Sequence, residues 1–515
     1  MKRRFFAFLL AWLLCLPLCP SGFAVEETFA YERPSSRLRA LLIGCDHFIS
    51  QPDTWPAAES NLRLLSDALA ADSRRYDLIR SYSGNLATVE AFEEAVINAF
   101  QGAQDQDISL LYISTHGIFD EKEDNARAGL LLSDGEREEV LDAPSLQRIL
   151  DQISGVKMVI LDACNSGAII GKGLSGCGLH AFLTGADYKV LCSAGGSEAS
   201  WYFQGGVEPA VTGASYFATV LSNGLGAQGD FAADWNADGL ITLAEAYAFL
   251  RENYAASTPQ TYPQNDDEFV LFSYDPDQPR FVQKAVTDIT FEETLLTAGQ
   301  SEVSFSFTMQ RQAELYYQII YHQDGAWQFD QAQHFLDGEQ ADGTVLPGRK
   351  ARTLTLNTGA DAFGYAMIQL ITLENEKPVF QGARLLCVQP AQGEVRLSVI
   401  TAPSFVPGAG QELSILVRHD VPCGLTVSIL NEDGATVRRL SYEAPSRPQQ
   451  LSPAGTNFYW DGCLNHGEAA PPGKYTVQVK ARLGMNSAIV KSEPFLLAAP
   501  EEAAPEADAS FIVAE

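Results

Sequence analysis

Two short segments of the chain set a nucleophile and a base in matching local settings. The apolar run Ser109-Leu110-Leu111-Tyr112-Ile113-Ser114-Thr115 leads into His116-Gly117, and Met158-Val159-Ile160-Leu161 leads into Asp162-Ala163-Cys164-Asn165-Ser166-Gly167. Each reads as a buried strand with a reactive side chain at its C-terminal end. A thiol becomes a nucleophile when its pKa is lowered or a base stands beside it, and imidazole is the usual partner. His116 would take the Cys164 proton and later return it to a leaving amine. Gly117 would let the backbone approach a scissile carbonyl, making the N–H groups of Gly117 and Cys164 the expected oxyanion donors, an interaction worth about 3–4 kcal/mol in such sites. Cys177 and His180 are a rival pair, but their short spacing lies in a Gly-rich loop. Cys45 and Cys192 sit in apolar strand runs and read as core or cleft-floor thiols.

The elements that must position this pair follow an α/β pattern from Arg39 to about Tyr274. Strand-like runs cover 39–45, 78–82, 108–115, 157–163, 188–193 and 268–274, with helical spacing between them. Leu62, Leu65 and Leu69 share one face of a helix over 61–70; Phe92, Val96 and Phe100 share one over 89–100, with Thr88 as N-cap. A further helix is expected around 145–152. In an open parallel sheet, ligands bind outside the carboxyl ends of the strands, which would put His116 and Cys164 in one cleft.

These residues resemble the caspase-like cysteine peptidases, the clan of caspases, metacaspases, legumains and clostripain-like enzymes. The resemblance rests on the opening strand Ala40-Leu41-Leu42-Ile43-Gly44-Cys45-Asp46, the histidine motif Ser114-Thr115-His116-Gly117 and the cysteine motif Asp162-Ala163-Cys164-Asn165-Ser166-Gly167. It spans about residues 37–275 and implies peptide-bond hydrolysis by a His116/Cys164 dyad on a peptide or protein substrate. It also implies that the stretch from Val190 to Tyr202 walls the primary specificity pocket. Asp46, Glu198 and Ser200 are then expected to bind substrate, the two carboxylates meeting an Arg or Lys at P1. Metacaspases carry an Asn-Asp pair before the first helix that helps bind basic P1 residues; this chain has Ser60-Asn61 there. Many relatives are activated by cleavage in the loops after the catalytic Cys; Lys172 in the loop 171–185, or Lys122 and Arg127 in the segment 120–134 after His116, would be the processing points if P1 is basic.

Asp234-Trp235-Asn236-Ala237-Asp238-Gly239-Leu240-Ile241-Thr242-Leu243-Ala244-Glu245 fits the twelve-residue EF-hand pattern D-x-[DN]-x-[DN]-G-x5-E. The expected Ca2+ ligands are Asp234, Asn236, Asp238, the Leu240 carbonyl, Thr242 and Glu245. Gly239 permits the sharp turn, and a helix follows with Ala246, Phe249 and Leu250 on one side. No phosphate-binding Gly-rich loop or zinc-ligand spacing is present, so neither a nucleotide nor zinc is expected.

The 515 residues carry 35 Lys+Arg against 65 Asp+Glu, a net charge of −30 that argues against nucleic-acid binding through phosphate contacts. Lys2-Arg3-Arg4, the apolar run from Phe5 to Leu18 and Ser21-Gly22-Phe23-Ala24 read as a secretory signal over 1–24, cleaved near Ala24. That run is too short for a transmembrane span and no later one replaces it, so the expectation is a secreted, extracellular protein without a membrane span after cleavage. After the turn-rich linker from Asp275 to Pro279 the chain becomes β-rich, with strict alternation in Val303-Ser304-Phe305-Ser306-Phe307. The fold expected is a caspase-like, mostly parallel α/β sheet flanked by helices, followed by two Ig-like β-sandwiches over 285–390 and 394–498 and an acidic disordered tail over 499–515. Phe458-Tyr459-Trp460-Asp461-Gly462 with Pro471-Pro472-Gly473-Lys474-Tyr475-Thr476-Val477 looks like the immunoglobulin-like module of flagellar hook-capping proteins, with Trp460 in its core. Cys423 and Cys463 could pair within it. The competing reading is a catalytically weak caspase-like protein that acts as an interaction or surface protein through its sandwiches.

Overall fold

The computed structural model describes residues 36–499, apart from 53–56, 121–126, 175–180, 206–210, 228, 254–256, 278–283, 300–301, 324–325, 337–342, 357–363, 375–376, 408–411 and 447–455. Residues 1–35, with the expected secretory signal, the expected tail from 500 onward, Cys177, His180 and Lys122 therefore lie outside the described residues.

Fully apolar strands are what a parallel sheet covered on both faces requires. Five strands run parallel: the largely buried β1 (Leu38–Gly44), β3 (Ile108–Ser114), β7 (Val156–Asp162) and β8 (Tyr188–Cys192), and the half-exposed edge strand β2 (Leu78–Ser83), whose sequence is mixed polar and apolar. After β3 comes a small antiparallel sheet of β4 (Gly117–Ile118), β5 (Gly129–Ser133) and β6 (Glu138–Asp142). Beyond β8 lie the hairpin β9 (Tyr202–Gly205) and β10 (Val211–Ser215), then β11 (Leu240–Thr242), β12 (Gln260–Tyr262) and β13 (Val270–Ser273). The central order is β12-β8-β7-β3-β1-β2, with β12 antiparallel. The last expected strand of that sheet, over 268–274, is not in it: β13 pairs with β11 in a two-stranded sheet.

Side chains alternate across the central sheet. Ala40, Leu42, Leu110, Tyr112, Met158 and Ile160 pack with α1 (Ala58–Ala70), α4 (Tyr216–Gly224) and α5 (Leu243–Asn253). Leu41, Ile43, Leu111, Ile113, Val159 and Leu161 pack with α2 (Val89–Phe100) and α3 (Ala143–Leu150). Thr88, Asp142 and Ser215 cap α2, α3 and α4 through their side chains. Helix α1 has no such local cap; Asp46, just past β1, accepts the N–H groups of Ala57 and Ala58 at 2.7 Å and of Glu59 at 3.1 Å instead.

Two β-sandwiches follow, each with its own core: one built on Phe305, Phe307, Phe335 and Ile368, the other on Trp460, Ile415, Val427 and Phe495. Trp460 is fully buried and donates its indole N–H to the Cys463 carbonyl at 2.8 Å. Cys423 and Cys463 are both free thiols, so the pairing considered for them does not form. The first sandwich also joins the core of the α/β domain: Tyr316, Ile320, Met367, Ile371 and Phe380 belong to the same apolar cluster as Tyr216, Phe217 and Leu250. No helix among the described residues is long and apolar enough to cross a membrane.

Candidate active site

The carboxyl ends of β1, β3 and β7 and the segment after β8 open onto one cavity of about 250 Å³. His116, two residues past β3, and Cys164, two residues past β7, both line it, together with Cys45, Asp46, Asn61, Ser114, Asp162 and Ser200. Because β3 and β7 are parallel neighbours in register from Ile108↔Val156 to Ser114↔Asp162, the two reactive side chains leave adjacent strands at the same level.

Backbone contacts fix each one. Leu131 in β5 donates its N–H to the His116 carbonyl at 2.9 Å, and Phe48 lays its ring 4.4 Å from the imidazole. Gly117 abuts the cysteine segment: a Cβ there would fall 1.6 Å from the Cys164 carbonyl oxygen, so no other residue fits. Asn165 takes a left-handed conformation (φ 56°), with its N–H donating to the Glu198 carbonyl at 2.7 Å and its side-chain amide to the Gly196 carbonyl at 2.8 Å. The Ser200 N–H donates to Cys164 Sγ at 3.3 Å.

Burial shapes the charges. It pushes the His116 pKa below the ordinary imidazole range against an opposing pull from Glu138, and raises the Cys164 thiol above its ordinary range, with Asp162 adding to the rise. Both shifts favour the uncharged forms, a neutral imidazole and a protonated thiol, lining one cavity.

Sequence reasoning placed Asp46, Glu198 and Ser200 at the substrate pocket, and the structure separates them. Ser200 lines the cavity. Asp46 lines it too, but its oxygens are taken up by the first N–H groups of α1. Glu198 does not line it: it is buried, accepting from the N–H of Gly195 at 3.2 Å, the N–H of Thr258 at 2.8 Å and the Thr258 hydroxyl at 2.9 Å, and it shapes the loop from within. The missed carboxylate is Asp162, only 4% exposed. Tyr112 Oη donates to it at 2.9 Å, Ser200 Oγ at 3.3 Å and Asn61 Nδ2 at 3.5 Å, and Ser215 Oγ donates as well. Desolvation outweighs these donors and raises the Asp162 pKa. Its position two residues before Cys164, at the end of a buried strand, was the available signal. Lys172, considered as a cleavage point, is buried and ion-paired, whereas Arg127 is exposed.

The EF-hand-like loop lies away from this cavity, between α4 and α5. Asn236 and Asp234 accept loop N–H groups from Asp238 (2.9 Å) and Gly239 (2.9 Å), and Asp238 accepts that of Leu240 (2.8 Å). Thr242 donates its N–H and hydroxyl to Glu245 Oε2 at 2.9 Å each, which leaves the buried Glu245 Oε1 without a hydrogen-bond partner. Among the described residues no three His, Cys, Asp or Glu side chains are gathered closely enough to hold a metal, so these carboxylates would have to draw inward around an ion.

With the cavity in view, comparison with known proteins places the fold. Residues 19–192 match the CHAT domain family, a match that takes in both His116 and Cys164 and ends with β8. At the other end, residues 409–484 match the FlgD Ig-like domain. Among solved structures, a Geobacter sulfurreducens protein is 15% identical, with 44% of this chain and 92% of that one covered and a TM-score of 0.31. Latent dimeric PorU of Porphyromonas gingivalis is 13% identical over 47% of this chain and 24% of its own, with a TM-score of 0.18. Caspase-1 of Spodoptera frugiperda is 12% identical over 48% of this chain and 93% of its own, with a TM-score of 0.29. No curated protein matches the chain.

Proposed function

We propose that the protein is a secreted cysteine endopeptidase that cleaves after Arg or Lys. The observation that carries this reading is the cavity shared by His116, Cys164 and the buried carboxylate of Asp162. A P1 guanidinium or ammonium would pair with Asp162, where low polarity strengthens a charge-assisted bond. Asn61 is neutral and serves as a donor to Asp162, so the Ser60-Asn61 departure leaves Asp162 to carry the charge.

Shifts toward a neutral imidazole and a protonated thiol favour general-base activation over a preformed ion pair. As Cys164 Sγ attacks the scissile carbonyl carbon, its proton passes to His116, and the carbonyl π electrons move to oxygen. The N–H groups of Gly117 and Cys164 are the proposed donors to that oxyanion. Collapse expels the amine, which takes the proton from His116; water then repeats the sequence on the thioester and frees Cys164.

Ca2+ is part of the proposal as a structural or regulatory ion. The orphaned Glu245 Oε1 and the ready-turned loop support it, with Asp234, Asn236, Asp238, the Leu240 carbonyl, Thr242 and Glu245 as the residues that would hold the ion.

A peptide library varied at P1 tests the reading with wild-type protein, Cys164→Ala and His116→Ala. Hydrolysis after Arg or Lys is expected, reduced by about a thousandfold or more in either variant. Since the His116 pKa is lowered, the acid limb of kcat/KM should fall below the ordinary histidine value of about 6.5. Since the thiol is raised, iodoacetamide should react slowly with Cys164 at neutral pH and faster as pH climbs. A wild type that cleaves no peptide would leave the interaction-protein reading in its place.

A further inference from the structure

Lys172 lies eight residues past Cys164 and is tied to the C-terminal Ig-like domain. Its ammonium donates to the Thr261 carbonyl at 2.7 Å, to Gln264 Oε1 at 3.1 Å and to Glu412 Oε2, which satisfies all three N–H groups. It also sits 4.4 Å over the Tyr459 ring. Both charged side chains are 6% exposed, and Glu412 Oε1 accepts the Gln264 N–H at 2.9 Å. Tyr459 Oη takes the N–H of Gly173 at 2.9 Å. Glu412 and Tyr459 are brought to one end of this strand pair because the strands Leu413–His419 and Thr456–Trp460 pair with Ser414 opposite Tyr459 and Leu413 opposite the buried Trp460.

The backbone at Lys172 leads back to the thiol by contacts without slack. Gly196 donates its N–H to the Lys172 carbonyl at 2.9 Å and Ser197 to that of Gly173 at 3.0 Å. Gly173 has a positive φ (+67°), and a Cβ there would meet Gly195 Cα at 2.4 Å. The same 194–200 segment holds the cysteine: Gly167 donates to the Ala194 carbonyl at 2.9 Å, Asn165 to that of Glu198 at 2.7 Å, and Ser200 to Cys164 Sγ at 3.3 Å.

We propose that the C-terminal Ig-like domain is a working part of the active site, with Lys172, Glu412 and Tyr459 as positioning residues that brace the loop holding Cys164. This rests on the peptidase reading only for its kinetic consequence; its structural content is that Cys164 reactivity depends on residues of another domain. A buried ammonium deprived of its carboxylate pulls away from the interface, and the 172–174 segment, packed against 195–197 without room to shift alone, carries Cys164 with it.

The test uses the full chain, with Glu412→Ala, Tyr459→Phe and, as control, Asn265→Ala, which removes only the exposed interdomain bond from Asn265 to Asp461. Three quantities are read: the rate of Cys164 alkylation by iodoacetamide, followed by peptide mass mapping; kcat and KM on Arg or Lys peptides; and the thermal melt. Glu412→Ala is expected to change the alkylation rate severalfold and to lower kcat about tenfold or more with KM little altered. Tyr459→Phe should do the same more weakly, and Asn265→Ala should leave all three unchanged. If Glu412→Ala does not fold, Tyr459→Phe decides. Wild-type alkylation and kcat in folded Glu412→Ala and Tyr459→Phe, with at most a lowered melt, would overturn the proposal by reducing the contact to domain adhesion. A wild type without peptidase activity would sink the peptidase reading and leave the alkylation comparison to decide this one.

Discussion

A carboxylate buried as deeply as Asp162 is poorly screened by water, so although four neutral donors hold it, its charge would still be felt strongly by a cation entering the cavity it lines. Asp162→Asn keeps the side chain's size and removes that charge. With a charge-assisted bond worth about 1.5–3 kcal/mol, kcat/KM for Arg and Lys substrates should fall roughly 10- to 100-fold, while peptides with neutral P1 residues change far less. A P1-varied peptide panel reads the difference, and equal losses at every P1 would remove Asp162 from specificity. Because burial raises its pKa, the preference for basic P1 should fade on the acid side at a higher pH than an ordinary carboxyl would give. Beyond its place two residues before Cys164, none of this was visible in the motif that contains Asp162. Its donors Tyr112 and Ser215 are 50 and 53 residues away and Asn61 is 101 away, on three other elements, so the fold alone assembles them. Glu198 misled in the opposite sense: it was expected to meet a basic P1 side chain, yet Thr258 and Gly195 consume its oxygens.

At the scale of elements, local chemistry told most where the element supplies its own signals. Helix α2 runs over Val89–Phe100 with the Thr88 hydroxyl accepting the Ala91 N–H, which its spacing and cap residue predict. Helix α1 begins three residues before its expected start because Asp46, from another part of the chain, caps it. The pairing of β11 with β13 was likewise hidden, since an apolar run at 268–274 does not say which partner it takes. That pairing anchors the EF-hand-like loop from behind, while Tyr274 Oη donates to Asp234 Oδ2 at 2.7 Å. The loop is held in shape at both ends, with Glu245 Oε1 left unpaired. Adding Ca2+ should therefore raise the melting temperature, by an amount corresponding to about 2.7 kcal/mol at a hundredfold excess over Kd, and should perturb the fluorescence of Trp235, which is 79% exposed within the loop. Glu245→Gln should abolish both responses. Calorimetry and fluorescence that show no change up to 10⁻² M Ca2+, well above the roughly 10⁻⁴–10⁻³ M of extracellular EF-hand modules, would dismiss the site.

For the molecule as a whole, the composition change after Asp275 looked like the start of a separable half, and the packing makes it otherwise. Tyr216 of α4 packs edge-on against Phe380 at 5.7 Å and donates its hydroxyl to Gln369 at 2.8 Å; Arg384 reaches back to Asn253 at 2.7 Å. Periodicity reports that a strand has an apolar face but not which domain covers it, and this is why two sandwiches were legible and their attachment was not. A chain ending at residue 275 would uncover the α4 and α5 face now shared with Tyr316, Ile320, Met367, Ile371 and Phe380. Each large side chain losing its cover forfeits up to about 1.5–3 kcal/mol. Several together rival the whole stability of a domain, about 5–15 kcal/mol. That truncation should accumulate mainly as insoluble protein. A chain ending at residue 390 keeps this core and loses Glu412 and Tyr459, so it should melt cooperatively yet alkylate Cys164 at a changed rate. Soluble expression, thermal melts and thiol mapping of the two truncations separate the expected roles: the first sandwich completing the core of the α/β domain, and the second holding the loop at the candidate active site.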